Sequence, residues 1–266
     1  MDWRMLNTIL HGDATNAPPL LIAHGLYGSG RNWGVIAKRL SDTRQVIAVD
    51  MRNHGESPWF DSHGYAEMAD DLAEVIAAHG GQADVLGHSM GGKAAMMLAL
   101  THPDRVNRLI VADIAPVSYD HDQLQFIAAM RALDLGAITT RSEAAAAMEE
   151  TVEDPTIRSF LLQSLDLKAK RWRLNLDALE RAMPQVLSWP ETPGQFERPT
   201  LFLSGGDSHY VLPEYRSQIR ALFPKARFAR IPGTGHWLHA EKPRAFEETV
   251  RAFLTRTDSA QNPAAR

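Results

Sequence analysis

The 266-residue sequence contains no cysteine, which excludes disulfide bonds and thiolate chemistry. It has no basic excess: the formal net charge of −4 favours neither nucleic acid nor an anionic membrane as a partner. No apolar run approaches the roughly 18 residues that span a bilayer. The opening stretch MDWRMLNTILHGD lacks the apolar segment of a signal peptide. These absences predict a cytoplasmic protein without membrane insertion.

The sequence does contain a regular alternation of short apolar runs and helical patterns. The runs are apolar at nearly every position, as expected for parallel strands buried on both faces. They cover 19–25, 45–50, 83–89, 108–113, 199–205 and 226–233, and helical patterns fall near 32–40, 65–79, 90–101, 213–222 and 243–255. This order predicts an α/β protein with a mostly parallel sheet and helices on both faces. Residues 3–12 are a candidate antiparallel edge strand.

The predicted strands 108–113 and 199–205 are much further apart in sequence than the others. The intervening residues are helical in composition, including SEAAAAMEETVED (142–154) and IRSFLLQSL (157–165). We therefore predict a helical cap at 117–197, inserted into a core made of 1–116 and 198–256. The remaining residues, 257–266, are predicted to form a flexible tail.

The stretch DVLGHSMGGKAAM (84–96) carries the strongest motif of the chain. Gly87 to Gly91 fit G-x-S-x-G, between an apolar strand and a helix rich in Ala and Met. This context indicates a sharp strand-to-helix turn that exposes a serine hydroxyl. Glycines are needed where the backbone turns too tightly for a Cβ, and the helix directs its first N–H groups at the site. Ser89 is therefore the predicted nucleophile.

Two glycine-rich stretches partly match nucleotide-binding loops. GHSMGGKA (87–94) fits G-x-x-x-x-G-K, but Ala94 replaces the Ser or Thr that binds Mg²⁺. GSGRNW (28–33) approaches G-x-G-x-x-G, and Asp50 follows at a spacing suited to a ribose, but Trp33 replaces the third glycine. Neither stretch predicts a nucleotide site, and no cofactor is expected.

Backbone donors for an oxyanion hole are predicted at two turns. Within AHGLYGSGRNW (23–33), Leu26 follows the first buried strand, where its N–H would face the pocket. Met90 comes directly after the nucleophile and would supply the second donor. The other interpretation of the first turn is a Gly-rich loop around His24, which we take as structural. His88 is expected to pack under the nucleophile turn.

Of the eleven histidines, His236 is the predicted general base. It follows the last predicted strand in the turn IPGTGHWLHAEKP (231–243), where Gly235 lets the backbone turn so that the imidazole reaches Ser89. His239 completes only an H-x-x-H pair, too few ligands for zinc, so no metal is expected. Solvated surface positions are expected for His11, His63, His79, His102, His121 and His209.

Together these motifs resemble the α/β-hydrolase fold. The set similar to the bacterial YbfF-type esterases comprises DMRNHGESP (50–58), GHSMGGKA (87–94), ADIAPVSY (112–119), SGGDSHYV (204–211) and GTGHWLHAEKP (233–243). The resemblance implies a cofactor-free serine carboxylesterase, with Ser89 as nucleophile and His236 as base. It implies hydrolysis of small-molecule acyl esters or acyl thioesters, acyl-CoA included, through an acyl-enzyme. It also implies that the insertion is the family's helical cap.

Two aspartates are candidates for the catalytic acid. In most α/β-hydrolases the acid follows the strand that LFLSGG resembles, three residues before an apolar residue such as Val211. Counting back from Val211 gives Ser208, so Asp207 stands one position too early. In the YbfF-type pattern the acid matches Asp113, and the later loop has GGNS instead of GGDS. The resemblance therefore implies that Asp113 orients His236, with Asp207 as the alternative acid.

Substrate selection is predicted to lie in the cap and the adjoining loops. Candidate pocket walls are the aromatic residues Tyr119, Phe126, Trp172, Trp189 and Tyr210, although packing within the cap would explain each of them equally. Arg52 and His54 either meet an anionic group, such as a coenzyme A phosphate, or brace their own loop.

Two other classes of function stay open at this point. One is a different serine reaction on the same fold, such as C–C bond hydrolysis or perhydrolysis. The other is a non-catalytic ligand receptor, because a fold does not by itself establish an activity. No oligomeric state is predicted.

Overall fold

A computed structural model describes residues 5–120, 123–192 and 194–256. The predicted tail at 257–266 lies outside the described residues. In the part of the chain that is described, no helix is long and apolar enough to cross a bilayer.

The strands form one large sheet and a separate short hairpin. They are β1 Thr8–His11, β2 Leu20–Ala23, β3 Val46–Val49, β4 Ala83–His88, β5 Val106–Ala112, β6 Leu165–Asp166, β7 Arg171–Trp172, β8 Thr200–Gly205 and β9 Ala226–Ile231. The large sheet has the order β1-β3-β2-β4-β5-β8-β9, while β6 and β7 form the hairpin. Only β1 is antiparallel to its neighbour within the large sheet. The prediction of a mostly parallel sheet with an antiparallel edge strand is confirmed.

Helices follow most of the strands, as the sequence pattern predicts. They are α1 Gly34–Leu40, α2 Tyr65–Ala78, α3 Met90–Thr101, α4 Leu124–Ala132, α5 Arg141–Ala147, α6 Pro155–Leu162, α7 Leu176–Leu187, α8 Arg216–Leu222, α9 Leu238–Glu241 and α10 Pro243–Thr255. Short 3-10 turns occupy Gly30–Trp33, Pro103–Arg105 and Pro213–Tyr215.

Strand β2 illustrates how the apolar runs fill both layers of the core. Leu21 and Ala23 belong to the cluster that includes residues of α2 and α3, whereas Leu20 and Ile22 belong to the cluster with α1 and α10. Successive side chains of a strand point to opposite faces, so a continuous apolar run is buried on both. The helices therefore cover both faces of the sheet.

The long connection between β5 and β8 contains α4 to α7 and the β6-β7 hairpin. The helical composition of 142–154 and 157–165 corresponds to α5 and α6. Where this connection meets the loop after β3, His54 forms an isolated β-bridge with Leu174 and the Asn175 N–H donates to Asn53 O at 2.9 Å. The division into a cap and a core stays a prediction.

The parallel arrangement brings several strand ends to one edge of the sheet. Ser89 follows β4, Asp113 follows β5 and His236 lies beyond β9. The carboxyl ends of parallel strands meet at the same edge, where α/β proteins form their sites. The predicted functional residues are thereby gathered from distant parts of the sequence.

Candidate active site

Ser89 occupies the sharp turn between β4 and α3. Its backbone has φ 53° and ψ −120°, a conformation that side-chain-bearing residues rarely adopt. The turn is held on both sides: the Ser89 N–H donates to Ala112 O at 3.1 Å, and Ser89 O accepts from the Lys93 N–H at 3.0 Å. Such strain persists only where the surroundings enforce it, and it often marks a functional residue.

The flanking glycines are required by the close approach of backbone segments. A Cβ on Gly87 would lie 2.2 Å from Gly91 O, and a Cβ on Gly91 would lie 2.4 Å from Ala23 O. Neither position can accept a side chain without moving the backbone. This contact explains why the G-x-S-x-G pattern contains glycine at both ends.

His236 and Asp113 are joined by a direct hydrogen bond. His236 Nδ1 lies 2.8 Å from Asp113 Oδ2, and Asp113 is fully buried. The carboxylate also accepts from the Gly205 N–H at 2.9 Å and from Ser208 Oγ at 2.5 Å. With Nδ1 donating to Asp113, the other ring nitrogen of His236, Nε2, is the one that can accept a proton.

Asp207 is not brought to His236. Asp207 is exposed; its N–H donates to Thr234 O at 2.8 Å, and its carboxylate makes no hydrogen bond or ion pair with a described residue. The next residue, Ser208, instead points inward to Asp113. The position reached by counting back from Val211 therefore meets the carboxylate that bonds the histidine, but in this chain it carries a hydroxyl rather than a carboxylate.

The two predicted oxyanion donors are both unengaged. Within the described residues, neither the Leu26 N–H nor the Met90 N–H has a hydrogen-bond partner. Their neighbours do: the Tyr27 N–H donates to His54 Nε2 at 3.1 Å, and the Ser89 N–H to Ala112 O. Met90 is also the first residue of α3, where the helix dipole favours negative charge.

One cavity of about 360 Å³ contains these groups. Ser89, His236, Leu26 and Met90 all line it. Among the described residues, no hydrogen bond joins the Ser89 hydroxyl to His236. The Tyr210 ring stacks on the His236 imidazole with the ring centres 4.1 Å apart.

The predicted pocket walls divide into two groups. Tyr119, Tyr210 and Phe126 line the cavity, whereas Trp172 and Trp189 do not. Trp172 is 6% exposed, and its Nε1 donates to Met130 O at 2.9 Å, so it packs inside the connection between β5 and β8. The prediction of Trp172 as a pocket residue is therefore corrected, because an aromatic at that position is needed for packing there.

Three buried histidines lie behind the predicted oxyanion donors Leu26 and Met90, and sequence reasoning missed one of them. His63, expected at the surface, is 1% exposed, and its Nε2 lies 3.4 Å from Met90 Sδ. His54 bonds the Tyr27 N–H, and His24 Nε2 accepts from the Met51 N–H at 2.9 Å. Burial lowers the pKa of His63 to about 3 and also lowers the pKa of His24 and His54.

The neighbouring Arg52 braces its own loop rather than facing the cavity. Its Nε donates to Asp71 Oδ2 at 2.6 Å and its Nη2 to Asp71 Oδ1 at 2.9 Å, a two-point contact of the kind that arginine forms with carboxylates. Asp50, considered as a ribose ligand, instead accepts from the Gly30 N–H at 2.7 Å. Both residues stabilise the loops that carry the site.

A second group of rings, from His88, His239 and Trp33, packs next to His236. His88 Nε2 donates to His236 O at 2.9 Å, and the His239 ring stacks on Trp33 with centres 4.2 Å apart. Burial lowers the pKa of His239 to about 3 and the pKa of His88 well below its ordinary value. The described residues contain no cluster of three or more His, Asp or Glu side chains arranged to hold a metal ion.

Lys93, the lysine of the incomplete G-x-x-x-x-G-K match, is a buried cation. It lies one helical turn after Ser89 and is 1% exposed. Its Nζ donates to Leu187 O at 3.0 Å and to Ser188 O at 2.7 Å, at the C-terminal end of α7, where the helix dipole favours a cation. Burial lowers the pKa of Lys93 to about 7.

We expect Lys93→Met to remove a pH dependence of stability. The folded-state pKa of about 7 lies below the ordinary 10.5, so between these values the unfolded chain holds a proton that the folded chain has released. Rising pH across this window therefore stabilises the folded wild type, by up to about 1.4 kcal/mol per pH unit. Urea denaturation at a series of pH values measures the effect.

The matched control is Lys38→Met, because Lys38 is an exposed lysine on α1. The Lys38 variant is expected to keep the wild-type slope of unfolding free energy against pH. If Lys93→Met also kept that slope, the Lys93 ammonium of the wild type would have an ordinary pKa.

The sheet order and the sharp turn at Ser89 are typical of an α/β-hydrolase, and comparison with known families gives the same class. The family model described as the alpha/beta hydrolase fold matches residues 18–243. The chain belongs to this family, and the fold predicted from its motifs is confirmed.

Individual relatives cover nearly the whole chain. The mouse protein named sn-1-specific diacylglycerol lipase ABHD11 is 41% identical over 92% of this chain and 83% of its own length. Esterase YbfF of Escherichia coli K12 is 40% identical over 90% of this chain and 94% of its own. A solved structure titled Marine microorganism esterase is 38% identical with a TM-score of 0.89, covering 94% of this chain and all of that one.

Proposed function

We propose that the chain is a serine hydrolase that cleaves carboxylic esters, with acyl thioesters as a second class of substrate. The observation that carries the proposal is the 2.8 Å hydrogen bond between His236 Nδ1 and the buried Asp113, in the cavity that Ser89 also lines. The unengaged N–H groups of Leu26 and Met90 complete the groups that acyl transfer requires. The relatives named esterase and diacylglycerol lipase support the ester bond as the target.

The proposed cycle proceeds through an acyl-enzyme. His236 Nε2 takes the proton of Ser89 Oγ as Oγ attacks the substrate carbonyl, and the Leu26 and Met90 N–H groups donate to the oxyanion. His236 then gives the proton to the leaving alcohol or thiol. A water deprotonated by His236 releases the carboxylic acid and restores the serine. Asp113 orients the imidazole and stabilises its protonated form without taking the proton.

We assign substrate selection to the cavity walls contributed by residues 117–197, which we propose act as a cap. Tyr119, Phe126 and Phe160 of this segment line the cavity, with Tyr210 from the loop after β8. Aromatic and aliphatic walls suit an acyl chain, because burying its CH₂ groups is favourable by about 0.8 kcal/mol each.

The test is a panel of esters and coenzyme A thioesters with acyl chains of increasing length. Initial rates are measured for the wild type, with Ser89→Ala protein as the blank. We expect hydrolysis well above the blank for esters of at least one chain length. Rates that peak at short chains would define a small closed pocket, and rates that rise with length would define an acyl channel. Rates equal to the blank throughout would contradict the proposed function.

A further inference from the structure

A second cavity, of about 510 Å³, lies beside the active-site cavity and contains three arginines. Arg31 comes from the 3-10 turn after β2, Arg141 from the start of α5 and Arg158 from α6. Three hydroxyl groups and an amide accompany them, from Ser29, Ser142, Ser159 and Gln163. The cavity therefore presents positive charge and hydrogen-bond donors together.

The positive charge of this arginine cavity is poorly neutralised by the protein itself. Arg141 donates to the backbone carbonyls of Leu162 and Leu165, and Arg158 Nη1 donates to the carbonyls of Val152 and Glu153. A carbonyl oxygen holds a guanidinium in place but does not cancel its charge.

Carboxylates contribute little to the same three arginines. Within the described residues, Arg158 reaches one carboxylate, that of Glu149, at 3.8 Å, and the Glu149 side chain is 71% exposed. Among the described residues, Arg141 forms no ion pair, and the exposed Arg31 makes neither an ion pair nor a side-chain hydrogen bond. An anionic ligand would therefore find charge that is available to it.

Helix α6 separates this cavity from the active site. Its residues Ile157, Phe160 and Leu161 face the active-site cavity, whereas Pro155, Arg158, Ser159 and Leu162 line the arginine cavity. The 3-10 turn is divided in the same way, because Asn32 lines the first cavity and Arg31 the second. At the boundary, Asn32 Nδ2 donates to Gln163 Oε1 in an exposed contact. The two cavities therefore share α6 and the 3-10 turn as walls, with the Asn32–Gln163 pair at their boundary.

We propose that the arginine cavity binds a phosphate group on the alcohol or thiol half of the substrate. The inference rests on the proposed function, since it concerns the leaving group of the same reaction. Guanidinium groups match the geometry of phosphate oxygens, and serine hydroxyls add further donors. The acyl chain occupies the mainly apolar active-site cavity, while the leaving group extends across the Asn32–Gln163 pair to the arginines. Two sources share this chemistry: a phosphorylated thiol carrier and a phosphorylated glycerol.

The experiment compares substrates that differ by their phosphate groups. One pair is an S-acyl-4′-phosphopantetheine and the corresponding S-acylpantetheine, and the other is a 1-acylglycerol 3-phosphate and the corresponding 1-monoacylglycerol. For each pair we measure the ratio of kcat/KM with the phosphate to kcat/KM without it. The variant is Arg31→Glu, because Arg31 is exposed and its side chain forms no hydrogen bond or ion pair with a described residue that folding could depend on. Arg227→Glu, an exposed arginine on β9, is the control for net charge.

We expect Arg31→Glu to lower the ratio for at least one pair by about 10- to 100-fold, the range for losing a charge-assisted hydrogen bond. Arg31→Lys should retain an intermediate ratio, and Arg227→Glu the wild-type ratio. A response of the thioester pair alone identifies a thiol carrier, and a response of the glycerol pair alone identifies a phosphorylated glycerol.

An unchanged ratio in both pairs overturns the inference, while hydrolysis of the unphosphorylated substrates would still uphold the proposed function. If no substrate is hydrolysed above the Ser89→Ala blank, the proposed function fails instead. Calorimetric titration with free coenzyme A and with glycerol 3-phosphate then decides the binding question. If either compound binds the wild type and Arg31→Glu weakens that binding, the arginine cavity is an anion site. If neither compound binds, the inference is overturned.

Discussion

Replacing Ser89 with alanine is expected to lower kcat by about 10⁶-fold, the loss seen when the nucleophile of a comparable triad is removed. Without Oγ no acyl-enzyme can form, and the oxyanion donors act only on direct attack by water. The turn itself should persist, since its backbone hydrogen bonds to Ala112 and Lys93 do not involve the side chain. Initial rates on the preferred ester of the panel measure the effect.

Labelling with a fluorophosphonate tests the same serine without a substrate. The wild type should be labelled at Ser89, and the Ser89→Ala protein should not be labelled at all. Ser41→Ala is the matched control, because Ser41 follows α1 and does not line the cavity, and this variant should be labelled like the wild type. A wild type that stays unlabelled would favour a ligand receptor on a hydrolase scaffold.

Replacing Asp113 with asparagine is expected to lower kcat by about 10⁴-fold, as in serine proteases that lose the equivalent charge. An amide at this position can no longer hold the His236 tautomer that accepts the Ser89 proton. It would also fail to stabilise the positive imidazole formed during the reaction. The measurement is kcat for the variant on the same ester, together with a thermal unfolding curve to verify folding.

Asp207→Asn is the control for this prediction. Asp207 is exposed, and its carboxylate bonds no described residue. The kcat of the Asp207→Asn variant should therefore stay within about twofold of the wild-type value. The opposite pattern, a large loss at Asp207 and a small one at Asp113, would transfer the catalytic acid to Asp207.

A relocated acid gives a stricter test of the geometry. Ser208 Oγ and His236 Nδ1 both bond Asp113 Oδ2, so a carboxylate at position 208 would lie near the same histidine. We expect Ser208→Asp, added to Asp113→Asn, to recover part of the lost activity. Asp207, one residue away and facing solvent, cannot replace it. No recovery in a folded double variant would mean that the loop after β8 cannot present an acid to His236.

Much of the fold and part of the site could be predicted from local sequence patterns. Strand β4, the glycines around Ser89 and helix α3 form one continuous stretch, so the sharp turn at Ser89 could be predicted without knowing its neighbours. The same holds for His236, which lies in a glycine-rich turn after β9. Backbone sterics act between adjacent residues, and the sequence displays them directly.

The residues that each side chain contacts in the folded structure were harder to predict. His63 resembles a surface residue in sequence but is buried behind Met90, and Trp172 packs against Met130 instead of the cavity. Lys93 looked like part of an incomplete phosphate-binding motif, yet it caps the end of α7. Burial and hydrogen bonding depend on segments far away along the chain, which no local pattern contains.

The sequence by itself determined the order of strands and helices along the chain and the sharp turn at Ser89, and it singled out His236 in its glycine-rich turn, because each depends on short-range periodicity or on glycine. Only the tertiary structure decided which carboxylate meets that histidine. Strands β5 and β8 are neighbours in the sheet, so Asp113 and Ser208 converge on one point. A one-residue difference in register at the end of β8 turns Asp207 to solvent. That register is set by the pairing of strands more than 80 residues apart, through hydrogen bonds such as the one from Asp113 N–H to Leu203 O.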